Sequence, residues 1–269
     1  MSPVLLEVLS PILDDQVATN KQRASRIVGG FVLVVAAVLS VIGLLIGAGP
    51  SSILIALIMA GGLAFAACAK SSALVLSGSG AQPADPVAHA RLHNLVEGLC
   101  ITAGVPKPGV YLIDDAAPNA FAVGRSPRQA AVVVTRGLTE KLNRIELEGV
   151  LAHELSRVKN HDVVVSTLAA TLLGPLVRIM PAPAGARLVQ RAVGTHGQEL
   201  ADLTAVSFTR YPPGLIAALE KLRGAHTAVR SASRATAHLW LAPALAGGAG
   251  GDLAIHPSLE ERIAALQEL

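Results

Sequence analysis

The most informative part of this sequence is Gly149-Val-Leu-Ala-His-Glu-Leu-Ser-Arg-Val-Lys-Asn-His-Asp162. His153 and Glu154 match the start of the pattern H-E-x-x-H, in which two histidines share one helix face, both reach a Zn²⁺ ion, and the glutamate serves as general base. Arg157 stands at the second histidine position. A guanidinium stays charged and offers no lone pair, so it cannot ligate a cation. The stretch therefore predicts a helix that carries an altered metal motif.

The composition indicates a membrane protein with a soluble part. Hydrophobic residues make up 52% of the 269 residues and charged residues only 15%, which is too apolar for an ordinary soluble domain. The net charge of +3 is spread over many segments, and aromatic residues make up 3%. The chain therefore lacks the basic stripe interleaved with aromatic side chains that binds nucleic acid. Cys68 and Cys100 fit no metal or redox spacing, and we expect both to be buried apolar residues rather than a disulfide.

Two uncharged runs near the N-terminus predict a transmembrane helical hairpin. Residues 27–49 would span about 34 Å as a helix, which crosses the hydrocarbon core and exceeds the apolar region of a signal peptide. Residues 53–69 form the second run, after a break at Pro50. The basic residues that flank the hairpin are Lys21, Arg23, Arg26 and Lys70. By the positive-inside rule both ends lie in the cytoplasm, which predicts a multi-pass protein of the cell membrane.

These patterns divide the chain into four parts. Residues 1–26 form a cytoplasmic N-terminal segment, and residues 27–76 contain the transmembrane hairpin. Residues 77–86 are rich in glycine, serine and proline, which is typical of a linker. Residues 87–269 then form a cytoplasmic domain. Because helical patterns dominate this domain and strand patterns are few, the fold class is mainly α with a small β-sheet (α+β).

The cytoplasmic domain begins with helical spacing of apolar residues over 87–100. The β-branched runs 110–114 and 130–135 predict strands, and the turn residues in 118–127 predict the connection between them. Further helices are predicted at 138–142, after the capping residue Asn143 with Glu146, at 199–209, at 214–222, and after the capping residue Ser258 with Glu261. The apolar run 163–177 predicts a buried or membrane-dipping helix, with a third full span as the alternative.

The apolar pattern of the helix after Asn143 predicts which way the side chains of the altered motif face. Its apolar positions form one buried stripe, which is Leu147, Val150, Leu151, Leu155 and Val158. His153, Glu154 and Arg157 fall off this stripe, and we expect them to face a cleft.

Taken in order, these motifs resemble the HtpX-like family of membrane zinc metalloendopeptidases, relatives of the CAAX prenyl proteases. The resemblance covers most of residues 20–269, and its main motifs are Pro118-Asn-Ala-Phe-Ala-Val-Gly-Arg125, Leu147-Glu-Gly-Val-Leu-Ala-His-Glu154, Ala201-Asp202 and His256-Pro-Ser-Leu-Glu-Glu-Arg-Ile263. It implies a zincin-like protease domain beneath a membrane anchor. It also implies proteolytic quality control at the cytoplasmic side, with damaged membrane proteins as substrates and the lipid bilayer as a partner.

The resemblance places the family's site residues on particular positions of this chain. The first zinc histidine falls on His153, the catalytic glutamate on Glu154, and the second zinc histidine on Arg157. The third ligand, a glutamate four residues before the aspartate of the Ala-Asp pair, falls on Gln198, and Asp202 is a supporting residue. Glu199 comes one residue later on the helix. It points about 100° away from Gln198, so it is a poor substitute ligand.

Two of the three zinc-ligand positions therefore depart from the family pattern. This favours a pseudoprotease in which zinc is absent, the Arg157 guanidinium stands in for it and pairs with Glu154, Glu199 or Asp202, and membrane clients are bound rather than cleaved. One alternative is an active zinc endopeptidase with substituted ligands, which are Glu199, His196 or His161. A second alternative is a non-proteolytic membrane scaffold or binding module that shares only the fold.

Overall fold

The computed structural model describes residues 3–195, 197–245 and 257–269. Two long helices come first, α1 (Pro3–Leu45) and α2 (Ser51–Gly78). Each is long and apolar enough to cross a membrane, and they pack against each other as a hairpin. The two apolar runs predicted as spans lie within these helices. A soluble, mainly helical domain with a small mixed sheet follows, which confirms the predicted fold class.

The first helix also packs on the soluble domain. It continues through the stretch predicted as a separate N-terminal segment and runs into the first apolar run without a break. Asn20 is buried there, and its side-chain amide donates a hydrogen bond to the backbone carbonyl of Asn160 at 2.9 Å. Ile27, one residue after the last flanking arginine, is buried against the soluble domain as well. These contacts fix the base of the hairpin on the domain.

The sheet has four short strands, which are β1 (Gln82–Pro83), β2 (Gly109–Ile113), β3 (Ala120–Gly124) and β4 (Ala130–Thr135). Their spatial order is β1-β2-β4-β3, with β2 and β4 parallel and the other two pairs antiparallel. Val110 lies opposite Val132 in the parallel pair. The strands β2 and β4 confirm the two predicted strands, and β3 forms one edge of the sheet.

Strand β3 corrects the prediction that residues 118–127 form only a connection. All five of its residues are buried, because Ala120 and Ala122 pack into the core around α5, and Phe121 and Val123 pack with Val75 of α2 on the other face. A strand that is buried on both faces lacks the alternation of polar and apolar residues by which strands are recognised. The predicted linker 77–86 likewise contains the short strand β1.

The helices of the soluble domain are α3 (Ala90–Ala103), α4 (Arg136–Lys141), α5 (Arg144–Lys159), α6 (Asp162–Leu168), α7 (Gly174–Ile179), α8 (Ala182–Val193), α9 (Gly197–Thr209), α10 (Pro212–Arg223) and α11 (Leu259–Gln267). A π-helical turn, 169–173, joins α6 to α7. The helices predicted in this domain are present, with ends that differ by a few residues. Helix α5 is central, since α3, α9, α10 and β3 all pack against it.

The apolar run after α5 is long and apolar enough, over Asp162–Ile179, to cross a membrane. However, 61% of its most apolar window is buried within the protein, compared with 11% for α1 and 22% for α2. Packing against α1, α2 and α8 accounts for the apolar composition of this run. This favours the interpretation as a buried helix over a third span.

Candidate functional site

Helix α5 positions the three candidate residues His153, Glu154 and Arg157. Its start is fixed by the predicted capping box, in which the Asn143 side chain accepts from the Glu146 N–H at 3.0 Å and the Glu146 carboxylate accepts from the Asn143 N–H at 2.8 Å. All three candidate side chains are buried. The prediction that they face a cleft is therefore wrong, because α9 and the chain that follows α10 pack over this side of α5.

His153 is held by a buried carboxylate. Its Nδ1 lies 2.7 Å from Asp202 Oδ1 on α9, and Arg262 on α11 donates to both oxygens of Asp202, from Nε at 2.7 Å and from Nη2 at 2.8 Å. Burial alone would raise the pKa of Asp202, but the charges of Arg262 and His153 lower it to about 2. Because an ionised carboxylate can only accept, Nδ1 carries a proton, and Nε2 is the ring nitrogen that could offer a lone pair to a ligand.

Arg157 lies at the centre of a second buried network, with 1% of its surface exposed. Its Nε donates to Asp162 Oδ2 at 2.7 Å, and its Nη1 donates to the Leu239 carbonyl at 2.7 Å. Weaker contacts join Nη1 to Glu154 Oε2 at 3.4 Å and Nη2 to Ser166 Oγ at 3.3 Å. The guanidinium therefore links α5 to α6 and to the chain after α10.

The partners of Arg157 agree only partly with the expected ones. Glu154 is a partner, as predicted, but the shortest ion pair is with Asp162, which the sequence did not suggest. Asp202 pairs with His153 and Arg262 instead, and neither it nor Glu199 is an Arg157 partner within the described residues. Burial opposes the charge on Arg157, yet the carboxylates of Asp162 and Glu154 outweigh it and raise the pKa of the guanidinium.

The position of the third ligand is occupied by a buried amide. Gln198 lies in the first turn of α9 with its side chain inside the protein, whereas Glu199 beside it is exposed. Four buried polar atoms on α5 and α9 have no hydrogen-bond partner within the described residues. They are His153 Nε2 and Glu154 Oε1 on α5, and both Oε1 and Nε2 of Gln198 on α9. Buried polar atoms without partners are costly. These four atoms belong to three positions that the family motif assigns to ligation and catalysis.

The two other histidines considered as ligands are placed differently. Helix α5 ends at Lys159, and His161 forms the break before α6 with a left-handed backbone conformation at φ 59°. It therefore does not continue the α5 face on which its position was judged. His196 lies outside the described residues.

A short segment covers the site from the sheet side. Residues 239–242, here called the cover segment, lie along the free edge of β3, where the Leu241 N–H donates to the Ala120 carbonyl at 2.9 Å. Both site arginines bind the same segment, since Arg157 donates to its first carbonyl and Arg262 donates to the Leu241 carbonyl at 2.9 Å. The cover segment therefore occupies the sheet edge beside α5.

Asn119 holds the end of the cover segment. Its amide nitrogen donates to the Ala242 carbonyl at 3.0 Å, and its amide oxygen accepts from the Ala242 N–H at 3.1 Å. Phe121 and Trp240 stack edge to face, with ring centroids 4.6 Å apart. The sequence offered one signal for this contact, the apolar run Leu239-Trp-Leu241. Nothing local linked that run to a sheet edge more than a hundred residues earlier.

Comparisons with known proteins agree with this architecture. Residues 86–269 match the family described as Peptidase family M48. The chain is 36% identical over 249 residues to a protease HtpX homolog of Dictyoglomus thermophilum, covering 81% of this chain and 82% of the relative. It is 39% identical over 260 residues to the protease HtpX homolog of Tropheryma whipplei, with 84% and 89% covered. A Streptococcus pneumoniae homolog is 32% identical over 299 residues, with 96% and 100% covered.

The fold and the α5 motif thus define a membrane-anchored protein of the metallopeptidase type. More narrowly, the chain belongs to peptidase family M48, in its HtpX-like group. Members of this family are usually zinc-dependent.

The described residues do not fit a zinc ion held by three protein ligands. His153 fits, because Asp202 fixes its Nδ1 proton and leaves Nε2 unpartnered, as in metal-binding histidines. Arg157 and Gln198 do not fit, since one is a cation and the other a neutral amide. Within the described ranges, no three His, Cys, Asp or Glu side chains form a group that could hold a metal ion.

Proposed function

We propose that this protein is a pseudoprotease, a membrane-anchored M48 member that binds membrane-protein clients without cleaving them. The observation that carries the proposal is the buried Arg157 guanidinium, which pairs with Glu154 and Asp162 at the position of a zinc ligand. It supplies the positive charge that these carboxylates require in the interior. The buried carboxylates of both networks are then paired with arginines of the chain itself: Glu154 and Asp162 with Arg157, and Asp202 with Arg262.

The same contacts argue against hydrolysis. A glutamate acts as general base in such a site only on a water whose acidity a metal has raised. A zinc ion near Arg157 would meet a fixed positive charge, and at short range in a poorly screened interior this repulsion is large. One imidazole and one neutral amide, from His153 and Gln198, would have to hold the ion against it.

The cover segment also argues against cleavage, because it separates Glu154 from the sheet edge at which a substrate strand would bind. An extended polypeptide commonly binds by adding a strand to a free sheet edge. Beside α5, the edge of β3 is already paired with the segment through Leu241 and Trp240. A client strand would have to displace this segment before it could approach Glu154.

The membrane setting of the proposal follows from the charges around the hairpin. Lys21, Arg23, Arg26 and Lys70 flank the two apolar runs, so the soluble domain is assigned to the cytoplasmic side. Clients would then be cytoplasmic parts of damaged or misassembled membrane proteins, which is the substrate class implied by the HtpX-like resemblance.

A second candidate is an active zinc endopeptidase with substituted ligands. It is favoured by one observation, the orientation of His153 by Asp202, which leaves Nε2 buried without a partner. Such a histidine is prepared for metal binding. This candidate requires a replacement for both Arg157 and Gln198.

The two candidates are separated by an assay on the full chain in liposomes. Fluorescently labelled casein, an unfolded polypeptide, is added with and without zinc; co-flotation measures binding and gel electrophoresis measures cleavage. We expect binding without cleavage, and the same result for Glu154→Gln. Zinc-dependent cleavage that Glu154→Gln abolishes would establish the second candidate. Casein that neither floats with the liposomes nor is cleaved would contradict client binding.

A further inference from the structure

A large apolar groove lies where the first membrane helix meets the soluble domain, away from α5. It has a volume of about 820 Å³ and is formed by α1, the π-helical turn with α7, and α8. Phe31 and Val34 form one wall, and Leu172 and Leu176 form the other. This volume is typical of sites that take a small-molecule ligand.

The groove is open at a depth where lipid chains are expected. Its α1 wall runs from Ile27 to Val35 at the start of the uncharged run, so it reaches about 12 Å into the hydrocarbon layer. Apolar side chains on both sides are exposed, with Val34 at 62% and Ile179 at 82% of their surface. In water such exposure would be unfavourable, but an acyl chain would cover it.

Three arginines line the polar end of the same groove. Arg23 and Arg26 lie on α1 just before Ile27, where the uncharged run begins, and Arg191 lies on α8. No carboxylate lines the groove, and in the described part of the chain none of the three arginines forms an ion pair. Their positive charges are therefore available to an anion.

Arg23 is fixed in this position by the end of α8. Its Nη1 donates to the Val193 carbonyl at 2.9 Å. Gly194, with φ at +93°, allows this approach, because a Cβ there would lie 2.4 Å from Arg23 Nη1. A guanidinium has five N–H donors, so most of those on Arg23 remain available to phosphate oxygens.

We propose that this groove binds one anionic phospholipid. One acyl chain lies between the walls formed by α1 and by α7, and the headgroup phosphate lies among Arg23, Arg26 and Arg191. The lipid links α1 to α8 at the inner surface of the membrane. The proposal rests on insertion of α1 in a bilayer and is independent of the chemistry at α5.

Native mass spectrometry of the full chain in mild detergent tests the headgroup site. The protein is titrated with phosphatidylglycerol and, separately, with phosphatidylcholine of the same acyl chains. We expect tighter binding of phosphatidylglycerol, weakened about fivefold by each of Arg26→Gln and Arg191→Gln. Arg187→Gln is the matched control, since Arg187 is exposed on the same helix but does not line the groove.

Two glycines on α1 test the acyl slot. Gly30 lines the groove and Gly29 does not, and neither has an atom within 4 Å of an added Cβ. Gly30→Trp is expected to displace the lipid, whereas Gly29→Trp retains it. An excess of inorganic phosphate should also leave the lipid bound.

The proposal is overturned by equal affinity for the two lipids, by an equal loss in Arg187→Gln, by undiminished binding in Gly30→Trp, or by displacement with phosphate. Elution volume and melting midpoint, compared with those of the control variants, establish that each variant is folded. Since neither readout involves peptide binding or cleavage, failure here leaves the proposed function standing.

Discussion

Arg157 shows how one residue can make a metal motif unsuitable for its metal and still stabilise the fold. Its Nε is 2.7 Å from Asp162, and its Nη1 is 3.4 Å from Glu154. The shorter contact is the dominant one, because charge-assisted hydrogen bonds have N–O distances of about 2.7–2.9 Å. The residue therefore holds α5 to α6 chiefly through Asp162, and secondarily neutralises Glu154.

We predict that Arg157→Met destabilises the protein by about 3–5 kcal/mol, because Glu154 and Asp162 lose the one cation that pairs with them among the described residues. Denaturant unfolding of the full chain in detergent measures the change. Arg128→Met is the control: Arg128 is exposed and has no ion pair in the described structure, so a change within about 0.5 kcal/mol is expected. Equal stability of the two variants would contradict this role for Arg157.

His238 makes a further residue-scale prediction, on pH. It is fully buried, and its Nε2 donates to the Ser166 carbonyl at 2.9 Å. Burial lowers the pKa of His238 from 6.5 to about 4, with the Arg157 charge also lowering it and Asp162 raising it. Between these pH values the unfolded chain binds the proton and the folded chain does not. Folding therefore loses stability as the pH falls through this window.

We expect the loss attributable to His238 to be about 3 kcal/mol in total. Unfolding free energies measured at about pH 7 and about pH 5 should differ less for His238→Gln than for the wild type. His226→Gln, at an exposed histidine, should keep the wild-type dependence. If His238→Gln keeps it too, His238 is not the group responsible.

At the scale of elements, the packing of α5 against α10 depends on Gly149. A Cβ added there would lie 2.8 Å from the Leu215 backbone nitrogen, so α10 can approach only because this position has no side chain. We predict that Gly149→Ala costs about 1–3 kcal/mol through overpacking.

The matched control is Gly98→Ala on the exposed side of α3, where nothing lies within 4 Å of an added Cβ. There alanine should stabilise the helix by about 0.5–1 kcal/mol. Measured unfolding free energies of both variants test these expectations. Changes of the same sign for Gly149→Ala and Gly98→Ala would contradict the close contact of α5 with α10.

Elements with local signals could be predicted from the sequence, and elements defined by distant contacts could not. Asn143 with Glu146, and Ser258 with Glu261, marked the starts of α5 and α11 because a capping box is made within one turn. Strand β3 was missed because its residues are uniformly buried. The cover segment was missed because its partners lie on other elements.

The site residues likewise divide into those with a local sequence signal and those defined by contacts between distant elements. His153, Glu154, Arg157 and Gln198 follow from the motif and from spacing along helices. The partners Asp162 and Arg262 do not, since their roles arise only where α6 and α11 meet α5 and α9. The expected cleft was wrong for the same reason. Local periodicity cannot show that a later segment closes over a helix face.

At the scale of the whole molecule, the hairpin should place its turn outside the cell and the soluble domain inside. Ala48 lies exposed between α1 and α2. In a chain with Cys68 and Cys100 replaced by alanine, Ala48→Cys should react with a membrane-impermeant maleimide in intact cells. Glu260→Cys, at an exposed position of α11, should react only after permeabilisation. The reverse pattern would contradict the orientation.

Whether the α5 site binds metal decides between the pseudoprotease and the active zinc endopeptidase. The most direct measurement is the zinc content of the purified full chain, determined by elemental analysis after dialysis against zinc and then against metal-free buffer. We predict zinc far below one ion per chain for the wild type, because Arg157 and Gln198 replace two ligands. We also predict near-stoichiometric zinc for the Arg157→His, Gln198→Glu double variant, since His153 and Asp202 are already in place. Stoichiometric zinc in the wild type would contradict the proposed pseudoprotease.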